Sequence, residues 1–109
     1  MAIKDLTEIK KHLFICNGSS CKRLGAEEAT DVLRSAIKKA GLHLDIHTSK
    51  TLCNGRCDDA PVVIAMPEGK WFKDITPANA AIFVEEYLIK KKPLKHLTLY
   101  TYGNNEIDS

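Results

Sequence analysis

All four cysteines of the 109-residue chain lie in two short segments that resemble each other. The first segment, CNGSSC, runs from Cys16 to Cys21, and the second, CNGRC, runs from Cys53 to Cys57. Both open with Cys-Asn-Gly, and asparagine and glycine suit tight turns. Paired thiols on turns can bind a soft metal ion, hold an iron–sulfur cluster or exchange with disulfides. The two segments can act as one site only if the fold places them side by side.

The first cysteine segment is predicted to connect a strand to a helix. Residues 12–17 form a short apolar run, which is typical of a buried strand. Residues 25–40 carry apolar side chains at spacings of three and four, which predicts an amphipathic helix. Cys16 would therefore end the first strand, and Cys21 would stand just before the first helix.

The second cysteine segment is predicted to follow another strand. Residues 42–48 alternate between apolar and polar, as in a half-buried strand. Beyond the cysteines, residues 61–66 and 70–75 read as a hairpin around Pro67-Glu68-Gly69. Thr76 and Pro77 are a strong helix start, and this helix is expected to end near residues 90–93.

The element order β-α-β followed by β-β-α predicts the fold class. It is the layout of a thioredoxin-like α/β sandwich with a four-stranded mixed sheet. The first two strands would be parallel, so their carboxyl ends would meet at one edge of the sheet, where α/β folds bind ligands. We expect a leader at residues 1–11, one domain at 12–93 and a C-terminal extension at 94–109, which could form a fifth strand or an arm.

Composition and charge limit the classes of function. The net charge is only +2, and no basic run is interleaved with aromatic residues, so the sequence does not indicate nucleic-acid binding. We see no secretory signal and no apolar run long enough for a membrane span. We therefore expect a cytoplasmic protein, in which clustered cysteines favour metal or redox chemistry over structural disulfides. No catalytic arrangement is visible, so we do not expect an enzyme.

The cysteine spacings favour a [2Fe–2S] cluster over a single zinc ion. Structural zinc sites and dithiol enzymes usually use CxxC pairs, whereas these pairs are CxxxxC and CxxxC. A [2Fe–2S] cluster takes four cysteines, two on each iron, and suits longer loops. Three alternatives stay open: a zinc-stabilised interaction module without a redox role, a thiol–disulfide oxidoreductase, and cysteines that form two disulfides or are ordinary buried thiols.

The pattern C-x4-C, then C-x3-C followed by DDAPVV, resembles the thioredoxin-like [2Fe–2S] ferredoxins. It is also similar to the small [2Fe–2S] subunit of respiratory complex I and of related hydrogenases. The resemblance implies that Cys16 and Cys21 ligate one iron and that Cys53 and Cys57 ligate the other. It further implies a one-electron carrier, redox partner proteins such as a reductase or an oxidoreductase, and a homodimer.

The chain departs from both groups in one feature each. Many stand-alone ferredoxins of this family space their first cysteine pair more widely, and the complex I subunit has a long N-terminal helical region that is not seen here. We expect a free-standing ferredoxin. Pro61 stands where thioredoxin-like folds often have a cis proline, although a trans proline at a strand start is equally compatible.

Overall fold

The computed structural model describes residues 5–107, so residues 1–4 of the expected leader and residues 108–109 of the expected extension lie outside it. Its centre is a mixed sheet of five strands in the order β2-β1-β3-β4-β5. Strands β1 and β2 are parallel, and the other neighbouring pairs are antiparallel. The strands are β1 Lys11–Cys16, β2 Ile46–Thr51, β3 Val63–Met66, β4 Lys70–Phe72 and β5 Thr98–Thr101.

The two long helical segments follow the sequence patterns closely, and a short helix that was not predicted precedes them. Helix α1 spans Ser19–Arg23, and α2 spans Ala26–Lys39. Helix α3 spans Pro77–Ile82 and continues as a π-helix over Phe83–Ile89. The predicted start is confirmed, because the Thr76 side chain accepts a hydrogen bond from the Asn79 amide at 3.3 Å. Two short 3₁₀ turns, Cys57–Asp59 and Lys95–Leu97, complete the helical elements of the described chain.

The main core lies between the sheet and the two long helical segments. Buried side chains of β1, β3 and β4, among them Leu13, Ile15 and Phe72, pack against the apolar faces of α2 and residues 77–89. The Phe72 ring meets Phe83 edge-on at 4.8 Å between centroids. This core fixes the sheet, and with it the edge at which the cysteine segments lie.

The predicted α/β thioredoxin-like fold is confirmed, but the sheet has five strands rather than four. Residues 98–101 pair with β4 as the additional strand. Leu97, just before it, is buried in the main core. The division into leader, domain and extension stays a prediction.

The second strand lies four residues later than predicted. The alternation of residues 42–48 suggested a strand, but residues 42–45 form a turn in which the Asp45 and Ile46 amides both donate to the Leu42 carbonyl. Leu44 is 68% exposed there. The strand begins at Ile46, where pairing with Lys11 of β1 begins. Pairing with the neighbouring strand, rather than local alternation, decided its position.

One further feature concerns the peptide bonds that precede two of the prolines. The Ala60–Pro61 and Met66–Pro67 peptide bonds are both cis, and the sequence had raised this possibility only for the Ala60–Pro61 bond.

Over residues 5–107, no helix combines the length and apolar character that a membrane crossing requires.

Candidate functional site

The four cysteines come together at one edge of the sheet. Cys16 is the last residue of β1, Cys21 lies within α1, Cys53 follows β2 in a loop, and Cys57 begins a 3₁₀ turn. All four line the same small cavity. Parallel pairing explains the convergence, because Cys16 stands opposite Thr51 at the ends of β1 and β2. The remaining residues around the cavity are Gly18, Ser20, Asn54, Arg56 and Val62.

The sequence prediction placed Cys21 just before the first helix, and the structure corrects this. Ser19–Arg23 is a short helix of its own, and Gly25, at φ 95°, separates it from α2. Cys21 is 3% exposed in the middle of this helix. A five-residue helix is too short to show an apolar period, so no sequence pattern revealed it.

The two cysteine segments touch at Gly18. A Cβ atom added to Gly18 would lie 2.9 Å from the Cys53 Cα atom and 3.0 Å from the Cys53 nitrogen. Real Cβ atoms essentially never come closer than 3.0 Å to another atom, so the backbone would have to shift. Glycine is therefore needed at position 18 for close approach, and its φ of −65° is accessible to any residue.

Asn54 and Asn17 fix the two loops through hydrogen bonds. The Asn54 amide nitrogen donates to the Thr51 hydroxyl at 2.8 Å and to the Leu52 carbonyl at 3.2 Å. Asn17 donates through its side chain to the Ile15 carbonyl at 3.1 Å and through its backbone to the Thr51 carbonyl at 2.8 Å. The two asparagines that follow the cysteines thus hold the loops against the ends of β1 and β2, a role that the sequence indicated only as turn preference.

The sulfurs form an inner and an outer pair. Cys16 and Cys21 are 4% and 3% exposed, whereas Cys53 and Cys57 are exposed at the surface. The Cys53 and Cys57 sulfurs are 3.7 Å apart, and the Gly55 amide donates to the Cys53 sulfur at 3.3 Å. All four cysteines are free thiols. Within the described range, no three His, Cys, Asp or Glu side chains are placed to hold a single metal ion.

The inner thiols have pKa values that are shifted in opposite directions. Burial raises the pKa of Cys16, but hydrogen bonds from the Gly18 backbone, Cys21 and Asn54 outweigh it and leave that pKa below its ordinary value. Burial, the hydrogen bond with Cys16 and repulsion from Cys16 and Cys57 raise the pKa of Cys21 to about 11. Cys16 is therefore the first of the inner pair to form a thiolate, and any metal must displace the proton on Cys21.

One basic side chain, Arg56, lines the cavity, and two more, Lys22 and Arg23, follow Cys21 in α1. The Arg56 guanidinium, at the cavity wall, forms an ion pair with Asp59 at 2.8 Å. The Lys22 ammonium lies 3.7 Å from Glu27, while Arg23 donates to the Ser20 hydroxyl at 3.3 Å. Of these side chains, Arg56 carries its positive charge at the wall of the cavity that the four thiols line.

Comparison with known proteins assigns the chain to a family. It is 46% identical over 98 residues to a protein of Priestia megaterium named "Putative 2Fe-2S ferredoxin", covering 90% of this chain and 76% of the relative. It superposes on a thioredoxin-like [2Fe–2S] ferredoxin structure from Aquifex aeolicus with a TM-score of 0.78 at 23% identity, covering 88% and 96% of the two chains. The chain belongs to the thioredoxin-like [2Fe–2S] ferredoxin family. The family resemblance predicted from the cysteine pattern is thereby confirmed.

More distant members of this ferredoxin family also align along most of their length. A 2Fe-2S ferredoxin of Clostridium pasteurianum is 24% identical over 98 residues, covering 83% of this chain and 96% of the relative. No family model matches the chain. The relatives are [2Fe–2S] ferredoxins, proteins that carry a [2Fe–2S] cluster.

Proposed function

We propose that this ferredoxin-family chain binds a [2Fe–2S] cluster and carries single electrons between redox proteins. Cys16 and Cys21 would ligate one iron, and Cys53 and Cys57 the other. The observation that carries the proposal is the convergence of four free thiols, from two loops, on one cavity. Their number and type match the four-cysteine ligation of such a cluster.

The buried and the exposed cysteine pairs would have different roles at this site. When bound, the cluster supplies one-electron redox chemistry. The buried pair, Cys16 and Cys21, lies among Ala26, Ala60 and Val62, which keep water from that side. The exposed pair, Cys53 and Cys57, lies at the surface, where a partner protein can approach the sulfurs. An electron can therefore enter or leave through the outer pair by outer-sphere transfer, with no substrate-binding group required.

The same proposal includes the redox partner proteins and the cellular compartment. Redox proteins such as a reductase or an oxidoreductase would supply and take up the electron, and the chain itself would perform no enzymatic reaction. The four thiols are unbridged, and they stay so in a reducing compartment, which supports the cytoplasm as the place of action.

The decisive experiment is a visible absorption spectrum of anaerobically purified protein, with iron and acid-labile sulfide measured on the same sample. We expect broad bands that bleach with dithionite, and about two irons and two sulfides per chain. A colourless protein that contains about one zinc per chain, and that fails to take up iron and sulfide on reconstitution, would overturn the proposal and favour a structural zinc site.

The ligand assignment is tested by Cys57→Ala, with Asp58→Ala as the neighbouring control. Loss of the Cys57 thiolate should open one iron to solvent, so this variant should hold little or no iron and sulfide. Asp58→Ala, at an exposed position in the same turn, should keep the full content. A full and stable cluster in Cys57→Ala would show that Cys57 is not a ligand.

A further inference from the structure

A second cavity, of about 580 Å³, lies at the end of the sheet opposite the cysteines and is called here the far cavity. Lys11, the first residue of β1, lines the far cavity, whereas Cys16, the last residue of β1, lines the cysteine cavity. At about 3.3 Å per residue, the two residues lie roughly 17 Å apart along the strand. The far cavity is therefore separate from the proposed cluster site, and its volume falls within the range of about 300 to 1,000 Å³ that is typical of small-molecule sites.

The apolar side of the far cavity forms where the two long helical segments end over the sheet. Leu42 follows the end of α2, Tyr87 and Leu88 lie near the end of the π-helix, and Ile46 begins β2. Ile46, Tyr87 and Leu88 belong to the main core, and Leu42 packs against it while remaining partly exposed. This side of the cavity is thus backed by packed side chains, which favours a ligand with an apolar body over a bare ion.

Three lysines and two acidic residues also line the far cavity, and both acidic groups are already paired. The Asp45 carboxylate lies 3.8 Å from the Lys10 ammonium, and the Glu68 carboxylate pairs with the Lys11 ammonium. The third lysine, Lys91, forms no ion pair with any of residues 5–107. Each acidic charge is therefore offset by a lysine, and Lys91 leaves the lining of the cavity with an unpaired positive charge.

The backbone of Lys91 has a conformation that lysine rarely adopts. Its φ is 57°, in the left-handed region, and it directly follows Lys90, the cap of the π-helix. The Lys92 amide donates to the Glu86 carbonyl at 2.9 Å, which closes the helix end around Lys91. Glycine is the usual residue at such a position, because a side chain strains left-handed backbone. A charged side chain is thus kept at the cavity at a cost in stability, a pattern that occurs at binding sites.

We propose that the far cavity binds a small organic carboxylate, with its apolar body against Leu42 and Leu88 and its carboxylate paired with Lys91. The apolar body removes the exposed part of the cavity wall from water, and this burial is the main source of affinity. The unpaired ammonium of Lys91 selects a negative charge over a neutral group of the same shape. An inorganic anion would leave the apolar wall in contact with water, so we expect it to bind more weakly than an organic carboxylate.

This inference goes beyond the proposed electron-carrier role and does not depend on the cluster. A ligand in the far cavity leaves the exposed thiols of Cys53 and Cys57 free for other contacts. Its binding site combines the ends of α2 and of the π-helix with the starts of β1 and β2, which come together only in the folded chain. The ligand should therefore raise the midpoint of thermal unfolding as its concentration increases.

The test is an NMR titration of the ¹⁵N-labelled full chain with indole-3-acetate, a small molecule that joins an apolar ring to one carboxylate. We expect saturable shifts of the backbone amides of Leu42, Ile46 and Leu88, with a dissociation constant of about 1 mM or lower, as is usual for a ligand of this size. Indole-3-acetamide has the same shape without the charge, and it should bind about two- to fivefold more weakly.

Matched variants test the role of Lys91. Lys91→Gly removes the charge and also relieves the strained backbone, so it should be folded and at least as stable as the unmodified chain. It should nevertheless bind indole-3-acetate about two- to fivefold more weakly, with its affinity for indole-3-acetamide unchanged. Lys92→Gly is the control, because Lys92 is exposed and does not line the far cavity. This control should bind both compounds as the unmodified chain does.

The proposal is overturned if indole-3-acetate at about 10 mM shifts no amide around the far cavity, or if Lys91→Gly binds it as tightly as Lys92→Gly does. Equally tight binding of inorganic phosphate would also overturn it, since the apolar wall would then play no part. These results are separate from the cluster assays. A colourless protein that still binds indole-3-acetate in the far cavity would refute the electron-carrier proposal and leave this inference standing.

Discussion

The four cysteine side chains are chemically identical, but the fold gives them different surroundings. Cys16 and Cys21 are buried and share a hydrogen bond, whereas Cys53 and Cys57 are exposed on a turn that contains Gly55 at φ 82°. Within the inner pair, Cys21 retains its proton more strongly than Cys16, because its pKa is raised to about 11. Binding of a metal by the inner pair therefore requires loss of the Cys21 proton.

At the same residue scale, Arg56→Glu should lower the reduction potential of the proposed cluster. Arg56 lines the cavity with the four cysteines. A negative charge in its place opposes the added electron and also repels Asp59, which pairs with Arg56 in the unmodified chain. The measurement is a redox titration followed by visible absorption. Lys92→Glu, the same charge change on the exposed segment that follows the π-helix, is the control. Equal potentials in the two variants would mean that Arg56 does not act on the cluster.

Glu68 is a second residue whose pKa is set by its environment. It lies in the β3–β4 turn, where its Oε2 atom pairs with the Lys11 ammonium and accepts a hydrogen bond from the Tyr87 hydroxyl at 2.5 Å. Burial raises the pKa of Glu68, but the hydrogen bonds from Lys11 and Tyr87 outweigh burial and lower it below its ordinary value. Its charged form therefore stabilises the folded chain. This contribution is complete above pH 4.5, the ordinary pKa of a glutamate side chain, and is lost as the pH falls through the lower pKa of the folded state.

Glu68→Gln should reduce the free energy of unfolding by about 1 to 3 kcal/mol at pH 7. The difference from the unmodified chain should shrink as the pH falls below about 4. Urea unfolding at several pH values measures both effects. Glu27→Gln is the control, because its side chain is 56% exposed and pairs with Lys22 only at the surface. A difference that is the same at all pH values would show that the charge of Glu68 does not matter.

At the scale of elements, the site depends on two loops that meet at a single glycine. The cysteine loop after β1 and the loop after β2 are in contact where Gly18 faces the Cys53 backbone. The parallel pairing of β1 and β2 delivers both loops to the same edge. The short helix α1 then turns Cys21 back toward Cys16. The separation of the loops is thus fixed by backbone contact as well as by the strands.

Gly18→Ala should therefore weaken cluster retention and lower the free energy of unfolding by about 1 to 3 kcal/mol, because the added methyl group must push the loops apart. Gly55→Ala is the comparison. No atom lies within 4 Å of a Cβ atom added to Gly55, but the φ of Gly55 is 82°. Gly55→Ala should therefore lower the free energy of unfolding by about 1 to 2 kcal/mol through backbone strain alone. Iron content per chain and urea unfolding separate the two effects. If Gly18→Ala retains as much iron as Gly55→Ala, or more, contact with Cys53 does not set the separation of the loops.

At the scale of the whole molecule, the chain folds around one sheet whose two faces are covered by different elements. The helical face forms the main core, and the other face carries a smaller cluster in which Cys16 and Cys21 are buried. Strand β5 closes one side of this sheet, and Leu94 and Leu97 just before it are buried in the main core. The segment that the sequence assigned to an extension is thus packed on the same core as residues 12–93.

Leu97→Ala should lower the free energy of unfolding by about 2 to 5 kcal/mol, since Leu97 is 4% exposed and a cavity would remain. Ile107→Ala, at a site that is 51% exposed, is expected to change stability by less than about 0.5 kcal/mol. Urea unfolding measures the free energy of unfolding of both variants. Equal stabilities would mean that residues 94–101 behave as an appended arm rather than as part of the folded unit.

The sequence by itself determined the features that depend on neighbouring residues. The periodicity of residues 25–40 located α2, Thr76 and Pro77 located the start of α3, and the spacing of the four cysteines identified the family. These signals are local, because a helix face, an N-cap and a turn are each encoded within a few residues.

Tertiary structure alone decided the features that depend on distant residues. Pairing with β1 placed β2 at Ile46–Thr51, and pairing with β4 made β5 from a segment whose local pattern was ambiguous. The same holds for the contact of Gly18 with Cys53 and for the burial of Cys16 and Cys21 but not of Cys53 and Cys57. Strand partners and burial are set by which distant side chains pack together, and no short stretch of sequence contains that information.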